Sequence, residues 1–387
     1  MVGTRHYPRL LTPPRGSFFL FGVRGVGKST WAEARLREAR RVNLLDEGVH
    51  HSLLADPALF AAELSGLRRG QWVVVDEVQR IPSLLNDVHR LSEERGLRFA
   101  LLGSSARKLK SAGTNLLAGR ATWKTMFPLL AEELGDDFSL EEILGFGSIP
   151  LVWNAADKRK TLEAYVQLYL REEIRAEALV RNLPGFVRFL PIAALFHGQV
   201  VNVAGIARDA GTARTTVAGY LDILEDTLLA TRLAAYEARL RVRERKHPKL
   251  YWVDPGLVRA VKRQLGPLAA EERGALLEGW VFTLLRTYAE ERGLYDEILY
   301  WSPPAGSATE VDFLLRRGRE FLAIEVKSSP RYSSALTTGL RAIGDLPRLV
   351  RRILVFTGPR ALTTPEGIEA WPVRRFLDAL AGGELWP

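Results

Sequence analysis

The sequence predicts an α/β protein in four parts, with two sheet-bearing regions on either side of a mainly helical middle. Three observations lead there. Apolar runs alternate with helical segments from residue 17 to about 130, the pattern of a parallel sheet covered by helices. The first of those runs leads straight into a glycine-rich loop ending in Gly-Lys-Ser. Strand and helix signals then return together from residue 271 to the end. The expected parts are 1–130, 131–187, 188–257 and 258–387.

Composition limits the function classes. Of 387 residues, 47% are hydrophobic and 26% charged, which is enough to build a core in each part. No apolar run is long enough to span a bilayer, so no membrane partner is expected. Residues 1–15 lack the apolar stretch and cleavage site of a secretion leader. The chain has no cysteine, which excludes disulfides and thiolate zinc sites and agrees with a cytoplasmic location. A net charge of +9 favours a polyanionic partner.

The first strand, 18–21, is Phe18-Phe19-Leu20-Phe21. Gly22-Val23-Arg24-Gly25-Val26-Gly27-Lys28-Ser29 follows, and a helical stretch at 31–39 comes next. This strand–loop–helix context is that of a phosphate-binding P-loop. Gly22, Gly25 and Gly27 let backbone N–H groups turn onto a β-phosphate. Lys28 is placed to reach the β- and γ-phosphates, the Ser29 hydroxyl to meet Mg²⁺, and Thr30 to complete the nucleotide-binding set. The expected cofactors are therefore ATP and Mg²⁺. After a run at 42–45, the strand 72–75 ends in Asp76-Glu77. Asp76 is placed to hold Mg²⁺ and Glu77 to polarise an attacking water. A run intervening between the two motifs, here 42–45, is the layout of P-loop ATPases that carry their own catalytic glutamate.

Residues 131–187 read as helical and charged, with a break marked by Gly147 and Pro150. Residues 188–257 read as a winged helix. A short helix at 201–210 turns at Gly211 into a second helix at 214–226, whose core face is Val217, Tyr220, Leu221 and Leu224. Arg214, Thr215 and Thr216 open that second helix, where a recognition helix meets the major groove. Segments 228–235 and 249–253 form the wing, and its tip carries Arg239, Arg241, Arg243, Arg245 and Lys246. This basic cluster suits backbone phosphates, so the expected partner is DNA, duplex or branched.

The last part reads as helix 273–292, strands 297–301, 310–315 and 321–326, helix 334–346, strand 352–356, then a shorter strand and a last helix. That α-β-β-β-α-β order is the core of the PD-(D/E)xK nuclease fold. Glu325 and Lys327 lie two apart on one strand and face one way, and Asp312 on the neighbouring strand can join them. Asp312 and Glu325 then become Mg²⁺ ligands and Lys327 orients or activates water. Glu278 on the first helix is a further ligand in relatives of this fold. His50 and His51 are expected to diverge as surface histidines.

Taken in order, Gly22–Ser29, Val75-Asp76-Glu77-Val78-Gln79, Gly103-Ser104-Ser105, Leu117-Ala118-Gly119-Arg120, Tyr251-Trp252-Val253-Asp254-Pro255-Gly256-Leu257 and the region 312–327 resemble the bacterial and archaeal AAA+ ATPases with a C-terminal DUF4143 domain. The resemblance implies an AAA+ ATPase core, a helical lid, a winged helix and a restriction-endonuclease-like domain. It implies that Ser104 or Ser105 senses the γ-phosphate, although serine stands where asparagine or threonine is frequent. It implies that Arg120 is an arginine finger completing a neighbour's site, hence a homo-oligomer, in ring form. Residues 131–187 offer no clear second sensor arginine. The expected function is ATP hydrolysis coupled to binding and remodelling of DNA, with cleavage left open. The alternatives are a nucleotide-gated protein-binding switch and a DNA-binding ATPase with an inactive nuclease fold.

Overall fold

Strands rich in aromatic and β-branched residues, buried on both faces, build the N-terminal sheet. In the computed structural model, which describes residues 5–105, 107, 109, 121–170, 183–237, 247–303 and 309–387, this sheet has five parallel strands. They are β1 (Phe18–Phe21), β2 (Arg40–Asn43), β3 (Trp72–Asp76), β4 (Arg98–Gly103) and β5 (Thr122–Thr125), in the order β2-β3-β4-β1-β5. The strand between β1 and β3 is thus β4. The run expected at 42–45 forms β2, shifted to Arg40–Asn43, at the edge beyond β3. The reason is burial. β2 starts with two exposed arginines and buries only Val42, whereas β4 buries every residue after Arg98.

Helices α1 (Lys28–Arg35), α2 (Glu47–Ala55), α3 (Ala58–Glu63) and α4 (Leu84–Arg95) connect these strands. Alternation along β1 divides the interior. Phe19 and Phe21 join Val73, Val75 and the helices α2–α4 on one face. Phe18 and Leu20 face α1 and a second apolar core that continues without a break to Trp386. The later parts are therefore packed onto the sheet.

Short helices Ala131–Leu134, Leu140–Phe146, Pro150–Trp153 and Lys158–Ala164 follow, ending in one π-helical turn, Tyr165–Leu170. Next come helix Leu183–Leu195, β6 (Gln199–Val200), helices Val203–Asp209 and Arg214–Asp226, β7 (Ala230–Leu233) and β8 (Lys249–Trp252). The three strands pair antiparallel in the order β6-β8-β7. Val217, Tyr220, Leu221 and Leu224 face inward, as their spacing predicts.

The C-terminal region is a mixed sheet with the long helix Ala270–Arg292 packed against it. Its strands are β9 (Glu297–Trp301), β10 (Val311–Arg317), β11 (Glu320–Lys327), β12 (Leu349–Phe356), β13 (Leu362–Thr363) and β14 (Glu369–Pro372), in the order β13-β14-β12-β11-β10-β9. The helix expected at 334–346 shrinks to a 3-10 turn, Ser334–Thr337, and one short helix, Thr338–Ala342. Its Gly339 sits so close to β10 that a Cβ would lie 2.0 Å from the Glu310 carbonyl oxygen. Among the described residues no helix is long and apolar enough to cross a membrane.

The Tyr251–Leu257 motif is a joint. Asp254 caps helix Pro255–Val261 by accepting from Leu257 N at 3.0 Å, and it also accepts from Ser148 N at 2.7 Å. Burial pushes this carboxyl up to about 6, against the pull of those backbone donors. Gly147 has φ +75°, and a Cβ there would meet Asp254 Oδ1 at 1.8 Å. Close by, His197 Nδ1 accepts from Trp252 N at 3.1 Å, and its ring lies where a Cβ on Gly279 of the long helix would be 2.2 Å away.

Burial, with the Lys262 charge second, pulls His197 down to about 3. The imidazole is then neutral in the fold and protonates near 6.5 once unfolded, so its contribution is complete above that pH and is lost as pH falls. The expected slope is about 1.4 kcal/mol per pH unit below 6.5. Thermal unfolding between pH 7.5 and 5 should therefore fall more steeply for the wild type than for His197→Asn. Parallel curves for the two would contradict this assignment.

Candidate functional site

The loop after β1, the start of α1 and Glu77 after β3 line one cleft of about 1110 Å³. The loop after β1 needs its glycines. A Cβ on Gly22 would come 2.6 Å from the Met126 carbonyl oxygen, and Gly25 and Gly27 have φ of +75° and +96°. Lys28 is buried at the start of α1 with Nζ 2.7 Å from the Gly22 carbonyl oxygen, and Ser29 and Thr30 follow it, exposed, in the first turn. Ser29 Oγ donates to Asp76 Oδ2 at 2.5 Å, so the hydroxyl after the P-loop lysine and the carboxylate at the end of β3 form one oxygen pair. Such a pair is the donor set that Mg²⁺ takes in P-loop sites.

Glu77 lines the same cleft, and its backbone lies in the left-handed region at φ 57°. That conformation turns the chain sharply after β3 and lets Gln79 fold back. Gln79 Nε2 donates to Glu77 Oε2 at 2.5 Å and to Ser104 Oγ at 3.1 Å. Glu77 and Ser104 are thus joined through a buried amide, whose Oε1 has no hydrogen-bond partner. Ser105, equally buried, has a different task, accepting from Arg107 N at 3.2 Å.

Segments outside the motifs complete the cleft. Leu151 covers the loop so closely that a Cβ on Gly25 would come 2.7 Å from its own. The N-terminal segment is fastened alongside. Arg9 pairs with Glu133 at 3.0 Å, donates to the Val26 carbonyl at 2.8 Å and also donates to the Phe127 carbonyl. Tyr7 donates to Asp137 at 2.7 Å and accepts from Trp153 at 3.2 Å.

A second centre lies in the C-terminal region. β10 and β11 pair antiparallel with Phe313 opposite Ile324, which sets Asp312 beside Glu325, next to a bulge against β9. Lys327 Nζ lies 2.5 Å from Glu325 Oε1 and 3.6 Å from Asp312 Oδ2. Asp312 Oδ2 also accepts from Val326 N at 2.8 Å. Glu278 is adjacent, but a second lysine enters. Lys249 of β8, 1% exposed, places Nζ 3.2 Å from Glu278 Oε1, 2.8 Å from Glu310 Oε1 and 3.6 Å from Asp312 Oδ1.

The predicted Mg²⁺ ligands Asp312, Glu325 and Glu278 therefore share one centre, yet ammonium groups stand among them. Burial first, and the Asp312 charge second, push Glu278 up to about 7 and Glu325 up to about 8. Among the described residues, the one trio of His, Asp or Glu ligand atoms within 4.8 Å of one another is elsewhere: Glu47, His50 and His51 on α2. The two histidines converge there instead of diverging, because Glu47 lies one turn before them; Glu47 is already paired with Arg80 at 2.8 Å.

Of the remaining predicted residues, Arg214 and Thr215 are exposed and Thr216 half-buried at the start of their helix. Arg120, Arg239, Arg241, Arg243, Arg245 and Lys246 lie outside the described residues.

Residues 15–135 match the family profile described as AAA domain, and residues 273–376 match the domain of unknown function DUF4143. Residues 15–135 are an AAA domain. Residues 137–267 match a further domain of unknown function, DUF8612. Uncharacterised proteins of Mycobacterium bovis and Mycobacterium tuberculosis are each 28% identical over 95% of this chain and 82% of their own length. Among solved structures, the Orc1 protein of Aeropyrum pernix in complex with DNA is 16% identical over 65% of this chain and 86% of its own, with a TM-score of 0.27.

The AAA domain thus contains Gly22, Gly25, Gly27, Lys28, Ser29, Thr30, Asp76, Glu77, Ser104 and Ser105 in a single neighbourhood. Sequence reasoning missed Gln79, Arg9 and Lys249. Gln79 stands inside the Val75–Gln79 motif, and its spacing from Glu77 was the available signal. Arg9 and Lys249 act on partners far along the chain and left no local signal.

Glu77→Gln should keep nucleotide bound but stop turnover, and Lys28→Ala should weaken binding and stop it as well. Gln79→Ala should lower kcat by roughly 10- to 100-fold with binding retained, because only the placement of Glu77 changes. Nucleotide affinity and single-turnover hydrolysis of the purified variants separate these outcomes. Wild-type turnover in Glu77→Gln would remove Glu77 as the base.

Proposed function

We propose that the protein hydrolyses ATP in the cleft between Lys28 and Glu77 and uses the cycle to bind and remodel DNA. The observation that carries the reading is the alignment at the ends of β1, β3 and β4: the Ser29–Asp76 pair beside the Glu77–Gln79–Ser104 link. Bound ATP with Mg²⁺ supplies the phosphoanhydride and neutralises its charge. The loop N–H groups and Lys28 hold the phosphates, and Ser29 and Asp76 hold the metal. Glu77 orients water and accepts its proton, while Ser104 reports the γ-phosphate to Glu77 through Gln79. Arg120 acts as a finger in a neighbouring subunit's site, which makes the working form a homo-oligomer, in ring form. Mixing Arg120→Ala with Glu77→Gln subunits, each inactive alone, should restore part of the hydrolysis at interfaces where both groups are intact. No recovery after demonstrated subunit exchange would argue against the trans finger.

The 183–257 region supports a winged-helix reading: three helices and a three-stranded antiparallel sheet, with Arg214 and Thr215 exposed where a recognition helix meets a groove. Its coupling to the ATP site has a physical route. Arg107, two residues beyond Ser105, pairs at 3.0 Å with Asp226, the last residue of that helix. The nuclease-like region is read as a non-cleaving module because of the Lys249 ammonium among its acids.

DNA binding should be salt-dependent. Charge reversal of Arg241, Arg243 and Arg245 should lower affinity and flatten the log–log salt slope by roughly one unit for each phosphate left without its arginine. Arg214→Ala should weaken binding and change sequence preference. Anisotropy titrations of labelled duplex at several salt concentrations test both. Unchanged affinity in both sets would favour the protein-binding switch, and Mg²⁺-dependent nicking by the wild type would restore the cleaving reading.

A further inference from the structure

We infer that the C-terminal centre is closed around an internal cation: the Lys249 ammonium, supplied by the neighbouring module, stands where a nuclease of this fold holds its metal. The inference rests on the nuclease-like reading of the domain and goes beyond it. Four carboxylates, Glu278, Glu310, Asp312 and Glu325, come from a helix, the approach to a strand, that strand and its neighbour, and two lysines lie among them.

Lys249 has little freedom to leave. Its backbone is paired on both sides, with Val200 on β6 and with Leu233 on β7. Strand alternation sends Lys249 and Tyr251 to the same face, and both reach Glu278, the tyrosine hydroxyl donating at 2.5 Å. Tyr300 adds a ring face 5.7 Å from the ammonium. The charges of Glu278, Asp312 and Glu310 outweigh burial and hold the ammonium above its ordinary pKa range. Lys327 meanwhile occupies Glu325 and the far oxygen of Asp312.

A divalent ion does not fit beside it. Mg²⁺ needs oxygens converging at about 2.0–2.1 Å, whereas no three carboxylate ligand atoms of this cluster lie within 4.8 Å of one another. A second cation there would also face Lys249 and Lys327 at close range in a buried setting. The acids that a nuclease uses on metal here fasten β8, the strand paired between β6 and β7. The centre is a clasp between the two modules.

The test uses the full chain, free of nucleotide, with Mn²⁺ alone as probe, followed by its paramagnetic resonance signal and by calorimetry. Wild type and Glu325→Gln should show the same Mn²⁺ binding, because the centre takes none. Lys249→Met should add a site, binding Mn²⁺ at least tenfold tighter than wild type, and Lys249→Met/Glu325→Gln should lose it. Lys249→Met should also melt lower than the wild type, and Lys249→Met/Glu278→Gln should recover part of that loss. A wild-type Mn²⁺ site abolished by Glu325→Gln overturns the inference and leaves the nuclease-like reading standing; that arm needs no Lys249 variant to fold. Lower stability in Lys249→Met with no gain in Mn²⁺ binding overturns it by removing the nuclease-like reading beneath it.

Discussion

Every polar group carried inward by the four-residue strand β8 has to find a partner, and that requirement ties the molecule together. Lys249 meets three acids of the C-terminal region, Tyr251 meets Glu278, and Trp252 N meets His197. Two residues later Asp254 caps the next helix and accepts from Ser148 near the AAA domain. Removing one member of a buried charge pair costs about 3–5 kcal/mol, because the other charge is left unpaired. Such a cost is comparable with a large part of a typical domain's stability. The strand therefore acts as a rivet, and the parts on either side of it share one continuous apolar core.

What could be read from the sequence follows from distance along the chain. The P-loop was legible because strand, loop and helix are consecutive, and phosphate geometry demands glycine, lysine and hydroxyl at fixed offsets. The strand ends at Asp76 and Ser104 were legible for the same reason. Their lateral order was not. β2 and β4 are both short runs, and only the burial of β4 against the exposed arginines of β2 separates centre from edge. The C-terminal strands fell within a few residues of expectation because the core strands are continuous apolar runs bounded by charged or turn residues, while the helix after β11 is shorter than expected, with Gly339 packed closely on Glu310.

The residues that changed the chemistry were the least legible. Gln79 matters because Glu77 adopts a left-handed backbone, which no glycine announces. Lys249 lies 63 residues before Asp312, and in sequence it is one more basic residue at the end of a basic segment. Asp312, Glu325 and Glu278 lie around Lys249 and Lys327. A lysine that only the tertiary fold delivers stands among them.

The AAA domain is tied to the downstream parts at two strands. β4 ends at Ser104, and the segment after it grips the helix Arg214–Asp226 through the Arg107–Asp226 pair. β5, paired with the P-loop strand on its other side, is held by the long helix: Lys124 bonds Glu291 at 3.1 Å and Thr125 N donates to Glu290. Both strands beside β1 are thus attached to downstream parts by charged or hydrogen-bonded groups near their ends. The helix gripped by Arg107 is in turn fastened to β7, where Arg232 bonds both Asp222 and Glu225. The long helix is itself bound to β8 through Glu278 and Lys249. Because β7 pairs with β8, the helix Arg214–Asp226 and the long helix are fastened to one small sheet, and through Arg107, Lys124 and Thr125 those two helices tie that sheet to both neighbours of β1.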